Sequence, residues 1–390
     1  QPGGYGCGVE RGETDRTMND RAGQVWAVIA GGGTSGHVHP ALAIAGELVS
    51  RGRSKDEIHF MGSARGLESE LVPARGYALT ALPGRGIERT INLENVKSIA
   101  ALGLASFQAW RTLRRLAPAV VVSVGGYASL PALQAAAALR IPIIVTEQNT
   151  VPGAANRFGS RWAKACAVAF ASTELPKKVH TGNPLLGPIL EVDRSNQMAV
   201  AEAKDRLGVA SGRQLVAAFG GSLGARRINQ AVVDATTMLA DRSDVAVRHI
   251  IGDRDWELFG SHRVDGSLQY QPVRYERAMH DVYAAADFVI CRSGATSVCE
   301  IAQTATPSVF VPLPTAPGDH QTKNAEALTQ TGGAVLVPDA QLDGAKVVSL
   351  INELLGDHAK LREMSERAGE QARPHAASDI ADLIEMHARA

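Results

Sequence analysis

Val25-Trp26-Ala27-Val28-Ile29-Ala30, followed by Gly31-Gly32-Gly33-Thr34-Ser35-Gly36-His37, is the stretch that decides the fold. Six uncharged residues rich in Val, Ile and Ala suit a parallel strand buried on both faces. The glycines then mark a tight turn into a helical pattern. The same grammar of apolar run, turn and helix returns at Glu57–Met61, Val120–Val124 and Ile141–Thr146. It restarts after Pro184 with Gln214–Phe219, Val245–Ile250, Asp287–Ile290 and Ser308–Val311, and with helices near Ala225–Leu239, Ala295–Gln303 and Gln321–Thr329. The expected fold is α/β: two Rossmann-like, doubly wound parallel-sheet domains facing a central cleft.

Length agrees, since 390 residues exceed what one core of ~250–300 residues supports. Residues 1–24, rich in Gly and charge, read as a disordered tail, with Met18 a candidate natural start. The domains are expected over 25–187 and 188–373, with the linker near Asn183–Asn196. Beyond Gln341 the pattern is almost wholly helical, and 374–390 is a candidate to pack back on the first domain. With 40 Lys+Arg against 40 Asp+Glu, the chain lacks the basic excess of a nucleic-acid binder. Its 4 Cys form no C-x-x-C pair and no zinc spacing, so neither a disulfide framework nor a structural metal is expected. No apolar run approaches the ~20 residues that span a bilayer.

In open parallel sheets, ligands gather where glycine turns leave strand ends and helix N-termini offer backbone N–H groups. Three clusters qualify: Gly31–His37, Gly125-Gly126-Tyr127 and Gly220-Gly221-Ser222-Leu223-Gly224. The first matches G-x-G-x-x-G, but the second strand ends His59-Phe60-Met61-Gly62-Ser63 without the acidic residue a dinucleotide ribose needs, which argues against NAD. The third suits a pyrophosphate, with the Ser222 hydroxyl adding a donor. Glycines that only permit tight turns are the alternative for each. His37, at a helix start, suits a general base whose imidazole the helix N-terminus keeps neutral; taken as a lone histidine it reads more readily as a cap or a satisfied turn residue.

In the second half, Arg292-Ser293-Gly294-Ala295-Thr296-Ser297-Val298-Cys299-Glu300 follows a buried strand and opens a helix. Its free N–H groups suit a phosphate, and Glu300 suits the two hydroxyls of a ribose. Gln321 and Asn324 lie one turn apart on a helix face, where they suit sugar hydroxyls. Thr146-Glu147-Gln148-Asn149 is a polar strand end in the first half. Asp253-Arg254-Asp255 lacks further carboxylates at ligand spacing and reads as a helix start, so no metal and no cofactor are expected. Ile91–Leu116 is a long helical pattern carrying Ile99, Leu102, Leu104, Phe107 and Trp110 with Lys97, Arg111, Arg114 and Arg115. It suits either a membrane surface or an ordinary core-facing helix.

Taken in order, Gly32–His37 with Pro40-Ala41-Leu42-Ala43, Gly125-Gly126-Tyr127, Glu147-Gln148-Asn149, Gly182-Asn183-Pro184, Gly220-Gly221-Ser222, Cys291-Arg292-Ser293-Gly294-Ala295 and His320-Gln321 resemble the MurG family. These are N-acetylglucosaminyltransferases of peptidoglycan synthesis, two-domain enzymes of GT-B architecture. The resemblance implies metal-independent, inverting transfer of N-acetylglucosamine from UDP-N-acetylglucosamine to the muramoyl 4-hydroxyl of lipid I, the undecaprenyl-diphosphate-muramoyl-pentapeptide, giving lipid II. It implies a peripheral protein on the cytoplasmic face of the cell membrane, with 25–187 facing acceptor and membrane and 188–373 binding the UDP-sugar. Its implied roles are general base for His37 and donor binding for Ser222, Ala295, Thr296, Ser297, Val298, Cys299, Glu300 (ribose), Gln321, Asn149 and Glu276 (uracil, through its backbone). Thr34, Ser35 and Gly36 would lie beside the donor or the acceptor diphosphate, with Gly125, Gly126, Tyr127 and Asn156 on the acceptor side. Two positions depart from the pattern. Thr146 stands where the family has His, and Leu186, a donor-side position, where it has Arg, with Arg292 a candidate to compensate. A paralogue glycosylating another lipid or a secondary metabolite, or a non-catalytic binder of lipid intermediates, would carry much of the same pattern.

Overall fold

The structure, a computed structural model, describes residues 24–83, 93–221 and 224–389, the side chains of 93–101 excepted. The tail expected over 1–24 thus lies, apart from Gln24, outside the described residues, as do Ser222 and the side chains of Lys97 and Ile99.

Two parallel sheets carry the fold. The first holds β1 (Ala27–Gly31), β2 (Ile58–Ser63), β3 (Ala78–Leu82), β4 (Val120–Gly125), β5 (Ile143–Glu147), β6 (Ala165–Val168) and β7 (Lys178–His180), in the order β3-β2-β1-β4-β5-β6-β7. The second holds β8 (Gln214–Phe219), β9 (Val245–Ile250), β10 (Gln269–Val273), β11 (Phe288–Cys291), β12 (Ser308–Phe310) and β13 (Ala334–Leu336), in the order β10-β9-β8-β11-β12-β13. Each order reverses once, between β1 and β4 and between β8 and β11, and the glycine turns stand at those two switch points. Pairing of β1 with β4 runs from Ala27↔Val120 and slips one residue at the end, which sets Gly31 opposite Gly125.

Both faces of each sheet are covered, which is why the central strands read as unbroken apolar runs: β1 and β4 are buried throughout. The helices used below are α1 (Ser35–Ser50), α2 (Leu93–Leu116), α3 (Ala295–Thr304), α4 (His320–Thr329) and α5 (Ala376–His387). On one face of the first sheet Val38, Ile44 and Leu48 of α1 pack with Ile380, Ala381 and Ile384 of α5. On the other lie Ala105, Ala109 and Leu113 of α2. The last helix of the chain has therefore returned to the first sheet. Its two isoleucines are fully buried, each contributing about 1.5–3 kcal/mol. Arg51, at the end of α1, ties the contact with Asp382 at 2.6 Å and Glu385 at 3.0 Å.

The strands that sequence periodicity misses are β3, β6, β7, β10 and β13. Four of these include the sheet edges and lack the buried-run signature: β7 is exposed throughout, and β10 is half-buried and carries Pro272, tolerated at an edge. The interior β6 is Ala165-Cys166-Ala167-Val168, too rich in alanine for a strand signal. Asp253–Asp255 opens a short helical turn that runs into Trp256–Phe259, as its reading as a helix start requires.

Candidate functional site

Two helix N-termini meet across the cleft. At α1 the first helical bonds run from His37 and Val38 to Thr34 O, so the N–H groups of Ser35 and Gly36 precede the ladder. At α3 the first runs from Val298 to Gly294 O, leaving those of Ala295, Thr296 and Ser297 ahead of it. The ends are close: a Cβ on Gly36 would lie 3.8 Å from Thr296 Oγ1, a buried hydroxyl without a hydrogen-bond partner. Both positive helix ends thus address one volume, which suits an anion.

His37 stands at the first-sheet lip of that volume. Thr34, the residue ahead of α1, spends its hydroxyl on His37 Nδ1 at 3.0 Å rather than on capping the helix. Nε2 is turned toward Gly125, where a Cβ would come within 3.4 Å of it. Gly125 takes φ +83°, so a side chain there would be strained as well as crowded. Burial pushes the imidazole down to about 4, so the ring is neutral at physiological pH. The cause is lost hydration of the ring.

Behind His37 lies a buried polar cluster. Asn156 is 1% exposed; its Nδ2 donates to Thr146 O at 2.8 Å and Glu147 Oε2 at 3.0 Å, and its Oδ1 accepts from Ser123 Oγ at 2.9 Å. Its expected contact with an acceptor is corrected: both amide hydrogens are spent inside the protein. Glu147 is likewise buried and also accepts from the backbone N–H groups of Asn149 and Gly153. Thr146, at the departure from the family pattern, buries its hydroxyl against Ser123 O and does not reach the cleft.

Sequence reading missed Glu68. Its carboxylate is 2% exposed and accepts from Gly33 N and Ser63 N, each at 2.7 Å. A Cβ at Gly32 or Gly66 would fall inside that carboxylate, and one at Gly62 would collide with its Cγ. The first glycine turn therefore encloses the protein's own anion, and its Gly33 amide is spent before a phosphate arrives. The signal in the sequence was a Glu at the start of a helix following Gly62 and Gly66, which alone reads as a first-turn acid. Tyr127 lines the adjoining hollow with its hydroxyl buried and unpartnered.

On the second-sheet side, Glu300 is half-buried and accepts from Tyr283 Oη at 2.8 Å. Desolvation pushes its carboxyl up to about 7, against that hydrogen bond. Gln321 accepts from Leu313 N at 2.9 Å, leaving its amide nitrogen for a ligand. The Glu276 carboxylate is held by Arg248 at 2.6 Å and by Ala278 N at 2.8 Å, so only its backbone is free to read a base. Asn149 Oδ1 faces Asn324. Asn324 is wholly buried and has no valence left for a sugar hydroxyl, a second correction.

Leu186 is half-buried and packs against the first-sheet core that includes Ile380 and Ile384. Arg292 is bound to Val311 O, Pro312 O and Asp339, so it does not replace a missing donor-side arginine. Asp253 pairs with Arg274, and the buried Asp255 with Arg226 and Arg254. Among the described residues no three His, Cys, Asp or Glu side chains gather as a cation site.

The chain matches the glycosyltransferase family 28 N-terminal domain over residues 27–168 and the family 28 C-terminal domain over 215–383. It is 39% identical over 366 residues to a protein of Acidothermus cellulolyticus named UDP-N-acetylglucosamine--N-acetylmuramyl-(pentapeptide) pyrophosphoryl-undecaprenol N-acetylglucosamine transferase, covering 93% of this chain and 98% of that one. It is 37% identical over 361 residues to the protein of that name in Myxococcus xanthus, covering 91% of each. The crystal structure of Acinetobacter baumannii MurG superposes with a TM-score of 0.71 at 28% identity, over 92% of this chain and 99% of that one.

Proposed function

The chain belongs to glycosyltransferase family 28, and from that premise we propose how its residues divide the work of the reaction. It is a UDP-N-acetylglucosamine-dependent N-acetylglucosaminyltransferase of GT-B architecture that acts on the undecaprenyl-diphosphate-linked muramoyl-pentapeptide and forms lipid II. The observation that carries our division of roles is the meeting of the two helix N-termini at Gly36 and Thr296, with His37 on one lip and Glu300 on the other.

The diphosphate of the donor lies on the amides of Ala295–Ser297 and the Thr296 hydroxyl, where the end of α3 stabilises the charge that develops as UDP leaves. Ser222, outside the described residues, adds a hydroxyl. The α1 amides of Ser35 and Gly36 approach the same charge from the opposite side. Glu300 accepts the ribose hydroxyls, the backbone of Glu276 reads the uracil, and Gln321 and Asn149 hold the transferred sugar. His37 Nε2 takes the proton of the muramoyl 4-hydroxyl as that oxygen attacks the anomeric carbon; Nδ1–H then donates to Thr34 Oγ1, which fixes the tautomer. Attack opposite the leaving diphosphate inverts the anomeric centre. We assign acceptor and membrane contact to 25–187 and the UDP-sugar to 188–373, with 374–390 returning to the first domain. Gly125, Gly126 and Tyr127 border the acceptor.

UDP release from UDP-N-acetylglucosamine, with and without a lipid I analogue and in the presence of EDTA, tests the reaction. Acceptor-dependent release that survives EDTA is expected. Release that needs a divalent cation, or that only another acceptor elicits, refutes the reading.

Glu300 supplies a sharper check. It accepts ribose hydroxyls best as a carboxylate, so the donor KM should rise as the pH falls below about 7. In Glu300→Gln the KM should be raised several-fold and lose that pH dependence, with Tyr283 keeping an acceptor. An unchanged KM removes Glu300 from the donor site. For the fold the sign is opposite: a carboxyl raised from 4.5 to about 7 makes stability fall as the pH rises through that window.

No helix among the described residues is long and apolar enough to cross a membrane, and we assign a peripheral position on the cytoplasmic face of the cell membrane. The outer face of α2 supports it: Leu104 is 52% and Phe107 59% exposed, with Trp110 stacked on Phe107 and Arg111, Arg114 and Arg115 beside them. Apolar side chains ringed by cations suit anionic lipid. Phe107→Asp should weaken binding to anionic vesicles about tenfold and leave turnover of a water-soluble acceptor analogue unchanged. Equal vesicle binding by the variant refutes this surface.

A further inference from the structure

Asn324 joins the two halves of the molecule. It lies on α4, next to the donor turn, and is wholly buried. Its Oδ1 accepts from Thr150 N and Thr150 Oγ1, each at 3.0 Å. Its Nδ2 donates to Asn149 Oδ1 at 3.2 Å and to Ser293 O at 3.3 Å. Three of these four bonds reach the turn after β5 in the first sheet's half; the fourth stays with the turn that leads into α3. The adjoining Gly318 meets the same turn, since a Cβ there would lie 3.2 Å from Val151 Cγ1.

Each end of the link runs on into the site. Asn149 is held through its backbone N–H by Glu147, whose other oxygen accepts from Asn156, the neighbour of His37 across Gly125. Ser293 donates its hydroxyl to Gln321 O and stands two residues ahead of the α3 N-terminus. One amide thus closes a chain of hydrogen bonds that runs from Asn156, which stands beside His37, to Ser293 and Gln321 at the edge of the diphosphate cradle.

We propose that Asn324 is a positioning residue, an amide latch that sets the separation of the two halves so that His37 and the anomeric carbon of the donor meet at reacting distance. The proposal rests on the transfer reaction given above. The UDP moiety is held on the second half, so losing the latch should cost turnover and spare UDP binding. Misplacing reacting groups by about an ångström is enough to lose ~10²-fold in rate.

The experiment compares wild type, Asn324→Ala and Thr150→Val in three measurements: kcat with a lipid I analogue, UDP affinity by titration, and the apo distance distribution by small-angle scattering. Thr150→Val removes one hydroxyl bond and keeps the backbone one, so it stands in should Asn324→Ala fail to fold. The latch predicts kcat down ~10²-fold for Asn324→Ala and roughly tenfold for Thr150→Val, with UDP affinity within about threefold and a broadened distance distribution. Unchanged kcat in a folded variant overturns it. So does a parallel loss of kcat and UDP affinity, which marks a structural role alone. Should wild type show no transfer, the reaction fails and not the latch, which the scattering then decides: a broadened distribution supports it and an unaltered one overturns it.

Discussion

His37→Ala is expected to lower turnover by roughly 10²–10⁴-fold, the range for a lost general base, with the donor KM nearly unchanged. The ring touches Thr34 and faces Gly125, both in the first half, whereas the groups we assign to UDP lie in the second, so donor binding should change little. The pH profile makes the assignment sharper. A histidine with an ordinary pKa would lose activity on acidification near 6.5; one held at about 4 should keep its basic form far lower. The Glu300 titration near 7 then appears alone in the donor KM. The same shift bears on the fold. The unfolded chain binds a proton at His37 between 6.5 and about 4 that the folded chain refuses, so this contribution to stability is present above that window and lost as the pH falls through it. Turnover that survives His37→Ala removes the residue from the mechanism.

The second large effect is structural. Glu147→Ala should destabilise the protein by roughly 3–5 kcal/mol, near the top of what one substitution does. Its carboxylate accepts from Asn149 N and Nδ2, Gly153 N and Asn156 Nδ2, and the residue is 3% exposed. Alanine leaves these donors without an acceptor where water has little access. At ~2–4 °C per kcal/mol for a domain of this size, a fall of about 10 °C in Tm is expected. Turnover should fall as well, since Asn156 stands beside His37 and Asn149 is the residue we place on the transferred sugar. A Tm within 2–3 °C of wild type, by roughly the same scale, shows that water replaces the carboxylate and that the cluster is not a support.

The two sheets were legible because their central strands are buried on both faces and so carry no alternation to misread; Gln214–Phe219 and Val245–Ile250 fall where the runs of apolar residues put them. The edges were not, because a strand such as Lys178–His180 is set by pairing with β6 rather than by its own residues. The helix N-termini were legible for a local reason, since a glycine turn after a buried strand announces them. What a buried polar side chain is bonded to is decided by residues far along the chain. Asn324 looks like a sugar reader on its own helix and becomes a tie only when Thr150 arrives 174 positions away. Arg292 misled for the same reason, since a position in a motif does not say which aspartate claims the side chain.

Glu68 and its three glycines have a consequence for how this chain can change. A methyl group at Gly32, Gly62 or Gly66 collides with the Glu68 side chain, and a shorter residue at 68 leaves Gly33 N and Ser63 N without an acceptor. Each single step is uphill, while a smaller residue at 68 accompanied by a polar side chain at one of the glycines restores an acceptor. The four positions form one heritable unit. Among descendants of this sequence they should stay together or be exchanged together, and a lineage that has lost one glycine should show its compensation at position 68.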